Sequence, residues 1–332
     1  MAIRVGINGV GRIGKLVFRL LNESEKFELV AVNDPMPPEI LKTLLRYDTI
    51  HGKFADIEQP NKNLFVVNGK EIALSHEYSP ELIPWHKYGV DCVIEASGKF
   101  KTRQALERHI QSGAKRVMLS QPSDDDLDSI IVLGVNEETL SPNDRIISNA
   151  SCTTNCLAPL IKTIDNSFGL QNAFFNTVHP FTNNQSLMDG PHPDPRRSRS
   201  AFCNIIPTTS TAVKALKKVM PEMQDRIDGF ATRVPVPLGS YIEITAQLDQ
   251  NVTKEIVNNS FLEASKKFRK GILEYCSDPI VSSDIIGNSN SAIFDSLCTK
   301  VLGNNFVQVL AWYDNETAYS NRIVDLIEYW YS

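Results

Sequence analysis

Ile3-Arg-Val-Gly-Ile-Asn-Gly-Val-Gly-Arg-Ile-Gly14 decides the fold class. Ile3 to Asn8 is an apolar run of strand length, and Arg12 to Leu21 carries its apolar residues at helical spacing. Between them Gly9, Gly11 and Gly14 stand in the G-x-G-x-x-G pattern. Glycines there permit a tight strand-to-helix turn, bring the backbone close to a pyrophosphate, and let the helix pack against the sheet. Phe27 to Asn33 reads as a second strand, and Asp34 follows it, twenty residues beyond Gly14. A carboxylate at that point accepts hydrogen bonds from an adenosine ribose and repels a 2′-phosphate, which favours NAD over NADP. A Gly-rich turn in another nucleotide- or sugar-binding fold is the competing reading.

The pattern of this first unit continues to about residue 150. Asp91 to Glu95, Arg116 to Ser120 and Ser129 to Leu133 read as further buried strands alternating with amphipathic stretches. Leu64 to Leu74 reads as a hairpin closed by Asn68-Gly69. The fold class expected is α/β, a Rossmann-type doubly wound parallel sheet over residues 1–150. An α+β domain with a mainly antiparallel sheet is expected over 151–314. Ala231 to Val236 and Ser240 to Leu248 supply alternating strands there, and Thr211 to Val219 and Thr253 to Lys267 supply helices. Glu316 to Trp330 reads as a last helix. Pattern alone assigns it to neither domain.

With 332 residues, 42% of them hydrophobic and 22% charged, the chain can build two ordinary cores. A formal net charge of −5 argues against a dedicated nucleic-acid surface. The short cluster Arg196-Arg197-Ser198-Arg199 either binds an anion or is a solvated loop. Six scattered cysteines form neither a disulfide framework nor a paired zinc motif, so no metal site is expected. Met1-Ala-Ile-Arg-Val runs directly into a strand with no leader pattern, and no apolar run spans a bilayer. Those features point to the cytoplasm.

Ser148-Asn-Ala-Ser-Cys152-Thr-Thr-Asn-Cys156 is the second informative stretch. It follows an apolar segment and precedes Leu157 to Phe168, which has helical spacing. Cys152 therefore lies where a helix begins, and unpaired N–H groups with partial positive charge favour a thiolate there. A buried cysteine packed as a small hydrophobe fits the segment equally well. Phe174 to His179 reads as a strand ending in an imidazole, just before the long loop Pro180 to Ser200. His179 would serve as base, although five other histidines (His51, His76, His86, His109 and His192) are present. A Cys–His protease would use the same pair without needing a dinucleotide fold.

Taken together, the chain resembles the phosphorylating, NAD-dependent glyceraldehyde-3-phosphate dehydrogenase family nearly end to end. The resemblance rests on Asn8 to Gly14, Leu45-Arg-Tyr-Asp-Thr-Ile-His-Gly52, Glu95-Ala-Ser-Gly98 and Ala150 to Pro159. It extends through Asn204-Ile-Ile-Pro207, Arg233-Val-Pro235 and Trp312-Tyr-Asp-Asn-Glu316. It implies Cys152 as nucleophile and His179 as its base. It implies NAD contacts from Gly9, Gly11, Arg12, Ile13, Gly14, Asp34, Ser120 and Asn315, with Asn315 orienting the nicotinamide amide. Thr182, Arg197 and Arg233 match positions that bind the substrate phosphate and inorganic phosphate, and Ser151 and Thr153 flank the nucleophile. The resemblance also implies a C-terminal helix, 315–332, returning to the cofactor domain, a homotetramer, and a glycolytic or gluconeogenic reaction through a hemithioacetal and thioester.

Three positions depart from the family pattern. Ser210-Thr211 stands where Thr-Gly is usual, close to phosphate. Tyr78 stands where a basic residue often touches the adenine end of the cofactor. Pro193-Asp-Pro195 is unusual within the long loop. The rival within the same superfamily is erythrose-4-phosphate dehydrogenase, which passes its thioester to water. A rival of another class is a non-catalytic NAD-binding redox sensor that keeps the scaffold and an oxidisable Cys152.

Overall fold

A computed structural model describes residues 2–268 and 270–332. The chain falls into two units by internal contact, one of residues 1–131, 137–150 and 320–332, the other of residues 132–136 and 151–319. In chain order the first carries β1 (Ile3–Asn8), α1 (Arg12–Glu23), β2 (Phe27–Asn33), α2 (Pro38–Arg46), β3 (Tyr47–Asp48), β4 (Gly52–Lys53) and β5 (Ile57–Asn61). It continues with β6 (Leu64–Val67), β7 (Lys70–Ser75), α3 (Trp85–Tyr88), β8 (Cys92–Glu95), α4 (Arg103–Gln111), β9 (Arg116–Leu119), β10 (Ser129–Ile130) and β11 (Ile146–Ser148).

Nine of these strands form one sheet in the order β10-β11-β9-β8-β1-β2-β7-β6-β5. Every pairing from β10 to β7 is parallel, and only the β5–β6–β7 meander is antiparallel. The order runs outward from β1 in both directions, so the strand order reverses between β1 and β8, where open α/β sheets bind ligands. Val17, Phe18 and Leu21 make the buried stripe of α1, and Leu106 of α4 packs with Val117, Leu119 and Ile146. The hairpin is closed by Asn68 (φ +51°) and Gly69 (φ +76°), both left-handed as a two-residue type I′ turn requires. Near the C-terminus, the Arg116 guanidinium lies 4.8 Å from the ring centre of Trp330 and 4.6 Å from that of Tyr331.

One expected strand shrinks. Ser129 to Leu133 pairs only over Ser129–Ile130. The Asn136 side chain accepts the Val132 N–H at 2.8 Å, and the N–H groups of Val135 and Asn136 return to the Val132 carbonyl, turning the chain out of the ladder.

The second unit carries α5 (Cys152–Phe168), β12 (Leu170–Pro180), β13 (Ile206–Thr208), α6 (Ala212–Val219), β14 (Ile227–Val234), β15 (Ser240–Leu248) and α7 (Lys254–Lys267). Then follow β16 (Leu273–Cys276), β17 (Ala292–Asp295), β18 (Lys300–Leu302), β19 (Phe306–Tyr313) and α8 (Thr317–Tyr331), whose residues from Ser320 onward belong to the first unit. The main path of its eight-stranded sheet is β13-β14-β12-β15-β19-β17-β16, with β18 on β19. The sheet is mainly antiparallel, as expected, with two parallel pairs, β12–β14 and β16–β17. The stretch between β12 and β14 is long enough, and helical enough in α6, to bring the chain back in its original direction. Among the described residues no helix is long and apolar enough to cross a membrane.

Candidate active site

Cys152 is the first residue of α5. Ser151 caps that helix, its hydroxyl accepting the Thr154 N–H at 3.1 Å. The turn just before is tight: Ala150 sits at φ +54°, a conformation that costs a non-glycine residue roughly 1 kcal/mol. His179 lies near the end of β12 and is 4% exposed. Its Nε2 is 3.6 Å from the Cys152 sulfur. The strand register supplies the third group, since Arg233 of β14 is the Cα partner of His179. The Arg233 guanidinium donates to the Pro180 carbonyl at 2.9 Å and presses an N–H on His179 Nδ1.

These contacts set the two ring tautomers against each other. Nδ1 faces both the Arg233 N–H and, at 2.8 Å, the Pro180 carbonyl oxygen. The guanidinium has donors only and favours the tautomer with the ring proton on Nε2, facing sulfur, whereas the Pro180 carbonyl favours the one with the proton on Nδ1. Burial and then the Arg233 charge push the His179 pKa down to about 3. Burial pushes the Cys152 thiol up, against the opposing pull of Arg233. Burial therefore works against the thiolate expected at this helix start, while the Arg233 charge works for it. Burial first, and then the guanidinium beside Nδ1, disfavour a second proton on the ring.

Tyr313 completes the floor. Its hydroxyl is 3.0 Å from Thr153 Oγ1 and 2.8 Å from Thr177 Oγ1, and its ring lies edge-on to His179 at 6.1 Å. Burial raises its pKa far above the phenol range, so it serves as a neutral hydrogen-bonding post. Sequence reading passed over Tyr313 and Thr177. The available signal was a polar side chain on the inward side of an alternating strand.

A second cation stands nearby. Arg197 Nε donates to Thr208 Oγ1 at 2.7 Å, and its Nη2 to the Thr209 carbonyl at 3.1 Å. Thr208 in turn donates to Asp194 at 3.1 Å. After burial, the Arg197 charge also lowers the pKa of Arg233, so the two guanidiniums repel and a bound anion would relieve that repulsion. Ser210 lines a cavity of about 810 Å³ with Thr208, Thr209 and Lys214. Thr211 has φ −74°, an ordinary value, so the missing glycine leaves no backbone strain. Thr182 is held locally, its N–H on the Gln185 side chain at 3.3 Å. Asn315 Oδ1 accepts from the Gly239 N–H at 3.3 Å and the Ser240 hydroxyl at 3.2 Å.

In the first unit the Gly-rich turn is close-packed on one side and open on the other. Gly9 has φ +89°, and a Cβ there would meet the Ser97 Cα at 2.4 Å. At Gly14 a Cβ would meet the Gly9 carbonyl oxygen at 2.1 Å. At Gly11 it would meet nothing within 4 Å. Gly11 is also the N-cap of α1 and offers no capping side chain, so the first-turn N–H groups suit a pyrophosphate. Asp34 accepts the Val10 N–H at 2.8 Å and the Met36 N–H at 2.9 Å. Ser120 donates to the Glu95 carbonyl at 2.8 Å. These features fit a dinucleotide. Arg12 instead pairs with buried Asp48, which Lys15 also holds at 2.8 Å. Ile13 is partly buried on α1, and Tyr78 is 73% exposed. Among the described residues no group of three His, Cys, Asp or Glu side chains is placed to hold a metal.

Comparison with known proteins gives the same family at both ends. Residues 3–103 match the family model for the glyceraldehyde 3-phosphate dehydrogenase NAD binding domain, and residues 151–315 that for its C-terminal domain. A glyceraldehyde-3-phosphate dehydrogenase of Priestia megaterium is 47% identical over 331 residues, covering 99% of this chain and 98% of the relative. Glyceraldehyde-3-phosphate dehydrogenase 1 of Bacillus subtilis is 46% identical over the same shares. The Geobacillus stearothermophilus enzyme is 45% identical over 330 residues, again 99% and 98%.

Proposed function

This chain belongs to the glyceraldehyde-3-phosphate dehydrogenase family, and from that premise we propose that it converts glyceraldehyde 3-phosphate and inorganic phosphate to 1,3-bisphosphoglycerate with NAD, using Cys152 and His179. It is an NAD-dependent oxidoreductase, with the family's NAD-binding domain at its N-terminus. The observation that carries the reading is the Cys152 sulfur at 3.6 Å from His179 Nε2, beside an arginine pressed on the far side of the ring.

Arrival of the substrate phosphate draws Arg233 toward the anion and off Nδ1. The ring then exchanges its proton through solvent to the tautomer that carries it on Nδ1, hydrogen-bonded to the Pro180 carbonyl 2.8 Å away. That leaves the Nε2 lone pair facing the thiol. Nε2 takes the thiol proton as sulfur adds to the aldehyde carbon, and returns it to the oxygen, giving a neutral hemithioacetal. The N–H groups that open α5 stabilise the transient oxyanion. Bound NAD supplies a hydride acceptor. As hydride leaves the carbon, Nε2 takes the hydroxyl proton, and the C–O bond becomes the carbonyl of a thioester. Phosphate held by Arg197, Arg233 and the Thr208–Ser210 hydroxyls attacks that carbonyl and sulfur departs as thiolate.

NADH formation measured with glyceraldehyde 3-phosphate and with erythrose 4-phosphate, each with and without phosphate, tests this reading. Phosphate-dependent turnover on the shorter aldehyde is expected. Phosphate-independent turnover favouring erythrose 4-phosphate overturns it. NAD bound without turnover on either aldehyde would leave the redox-sensor reading in its place. Family membership further supports a cytoplasmic homotetramer working in glycolysis or gluconeogenesis, with light scattering as the check on assembly.

A further inference from the structure

Four strands of the parallel sheet end in a polar residue, and the register sets those residues side by side. Asn8 of β1 is the Cα partner of Glu95 on β8 and of Asn33 on β2, and Asn33 is the partner of Ser75 on β7. Asn8, Asn33 and Glu95 are at most 3% exposed. The Ser75 hydroxyl donates to Asn33 Oδ1 at 2.8 Å, Asn33 Nδ2 to Asn8 Oδ1 at 2.8 Å, and Asn8 Nδ2 to Glu95 Oε2 at 2.6 Å. From the other side, Trp85 Nε1 donates to His109 Nδ1 at 3.0 Å, and His109 Nε2 lies 2.9 Å from Glu95 Oε2. Trp85 and His109 are fully buried. An indole nitrogen can only donate, so His109 carries its proton on Nε2 and gives it to Glu95. Ser97 adds its N–H and hydroxyl to Glu95 Oε1. Every bond in the row points toward one carboxylate, and bonds aligned this way polarise one another.

The row also carries the loops that follow it. The N–H of Gly9 donates to the Asn33 carbonyl, that of Asp34 to Ser75, that of Ala96 to Asn8 and that of Ser120 to Glu95, all within 3.1 Å. Three of those four loop residues are the candidate cofactor contacts Gly9, Asp34 and Ser120. The fourth leads into Ser97, which packs against Gly9.

We infer that the buried row Trp85–His109–Glu95–Asn8–Asn33–Ser75 is a positioning device for the dinucleotide, holding the Gly-rich turn, the Asp34 carboxylate and the Ser97 and Ser120 loops at one mutual spacing. His109 is its buried anchor and a positioning residue, remote from the reacting atoms. The inference rests on NAD binding at the Gly-rich turn.

The test uses the full chain, with NAD affinity by calorimetry, kinetics, and the rate at which iodoacetamide alkylates Cys152. His109→Leu removes the donor to Glu95 and is expected to raise the NAD Kd and KM about tenfold, with kcat at saturating NAD and the alkylation rate within twofold. His109→Gln restores a donor and should return the Kd to within about threefold of the original. Ser75→Ala, at the half-buried end of the row, should raise it about two- to threefold. An unchanged Kd in folded His109→Leu overturns the inference. If that variant fails to fold, an unchanged Kd in Ser75→Ala overturns it. Failure of the unaltered chain to bind NAD would instead overturn the cofactor reading.

Discussion

The polar row at the sheet crest and the Cys152 site are both buried clusters of ionisable and amide groups, yet they are built on opposite terms. Along the row each donor meets an acceptor, and Glu95 collects four donors. Around Cys152 the groups crowd without matching. The Arg233 guanidinium and the His179 Nδ1 crowd the Pro180 carbonyl, the same guanidinium presses on that ring nitrogen, and the charge of Arg197 works against that of Arg233. The thiol is pushed up, the imidazole down to about 3 and the Arg233 guanidinium down. The lesson is that a binding scaffold gains rigidity from complete satisfaction, whereas a reactive site keeps groups mismatched until substrate completes them.

The largest expected effect separates the two regions outright. Cys152→Ser should reduce turnover by about 10⁴-fold, because a serine hydroxyl beside a neutral imidazole is a far weaker nucleophile and leaves poorly from an ester. NAD affinity measured by calorimetry should not move. A parallel loss of NAD affinity would show that the cofactor region depends on the cysteine site, and would break the contrast.

Next in size is a pH effect belonging to the mismatched site alone. Below the ordinary histidine pKa of 6.5 the unfolded chain takes up a proton at residue 179, while the folded, ligand-free chain refuses it down to about 3. The unfolded state therefore binds more protons across that window, and stability falls as pH is lowered through it. His179 contributes a slope of about 1.4 kcal/mol per pH unit there. Urea unfolding of the original chain and His179→Gln between pH 4 and 7 should give curves that converge toward low pH, the variant being flatter. Parallel curves would show that the imidazole already carries a proton. Arg233→Ala should raise the His179 pKa from about 3 toward 6.5, and so should saturating phosphate. Histidine-edited NMR reads either shift directly, and a phosphate titration that leaves the resonance unmoved would count against the withdrawal of Arg233.

How much of this was legible in the residues follows from the same physics. Periodicity located β1, α1, β2 and the Asn68-Gly69 hairpin, because each depends on local spacing or on left-handed φ. Cys152 at a helix start was legible from the capping residues around it, and His179 from its place at a strand end. The Arg233 contact was not, because it depends on the register of two parallel strands whose Cα partners are 54 residues apart in sequence. The same applies to the polar row. Asn8, Asn33 and Glu95 each look like a polar residue closing an apolar run, and only the sheet order makes them neighbours. The early end of β10 was hidden because Asn136, a side chain six residues beyond Ile130, takes over the ladder's N–H.

The smallest effect is the sharpest test of where the row begins. Gly9 and Gly11 are two residues apart in one turn, and their surroundings differ completely. Alanine at 9 would hold φ +89° and drive a methyl into the Ser97 backbone, whose N–H and hydroxyl both feed Glu95. Gly9→Ala should therefore destabilise the chain by about 2–4 kcal/mol, combining left-handed strain with overpacking. Alanine at 11 meets open space, so Gly11→Ala should change unfolding free energy by no more than about 0.5 kcal/mol while weakening NAD, whose pyrophosphate must approach that backbone. Denaturant melts and calorimetry on both variants decide the matter. A Gly11→Ala chain as unstable as Gly9→Ala would mean that the turn is packed throughout, and that the space beside Gly11 is not reserved for the cofactor.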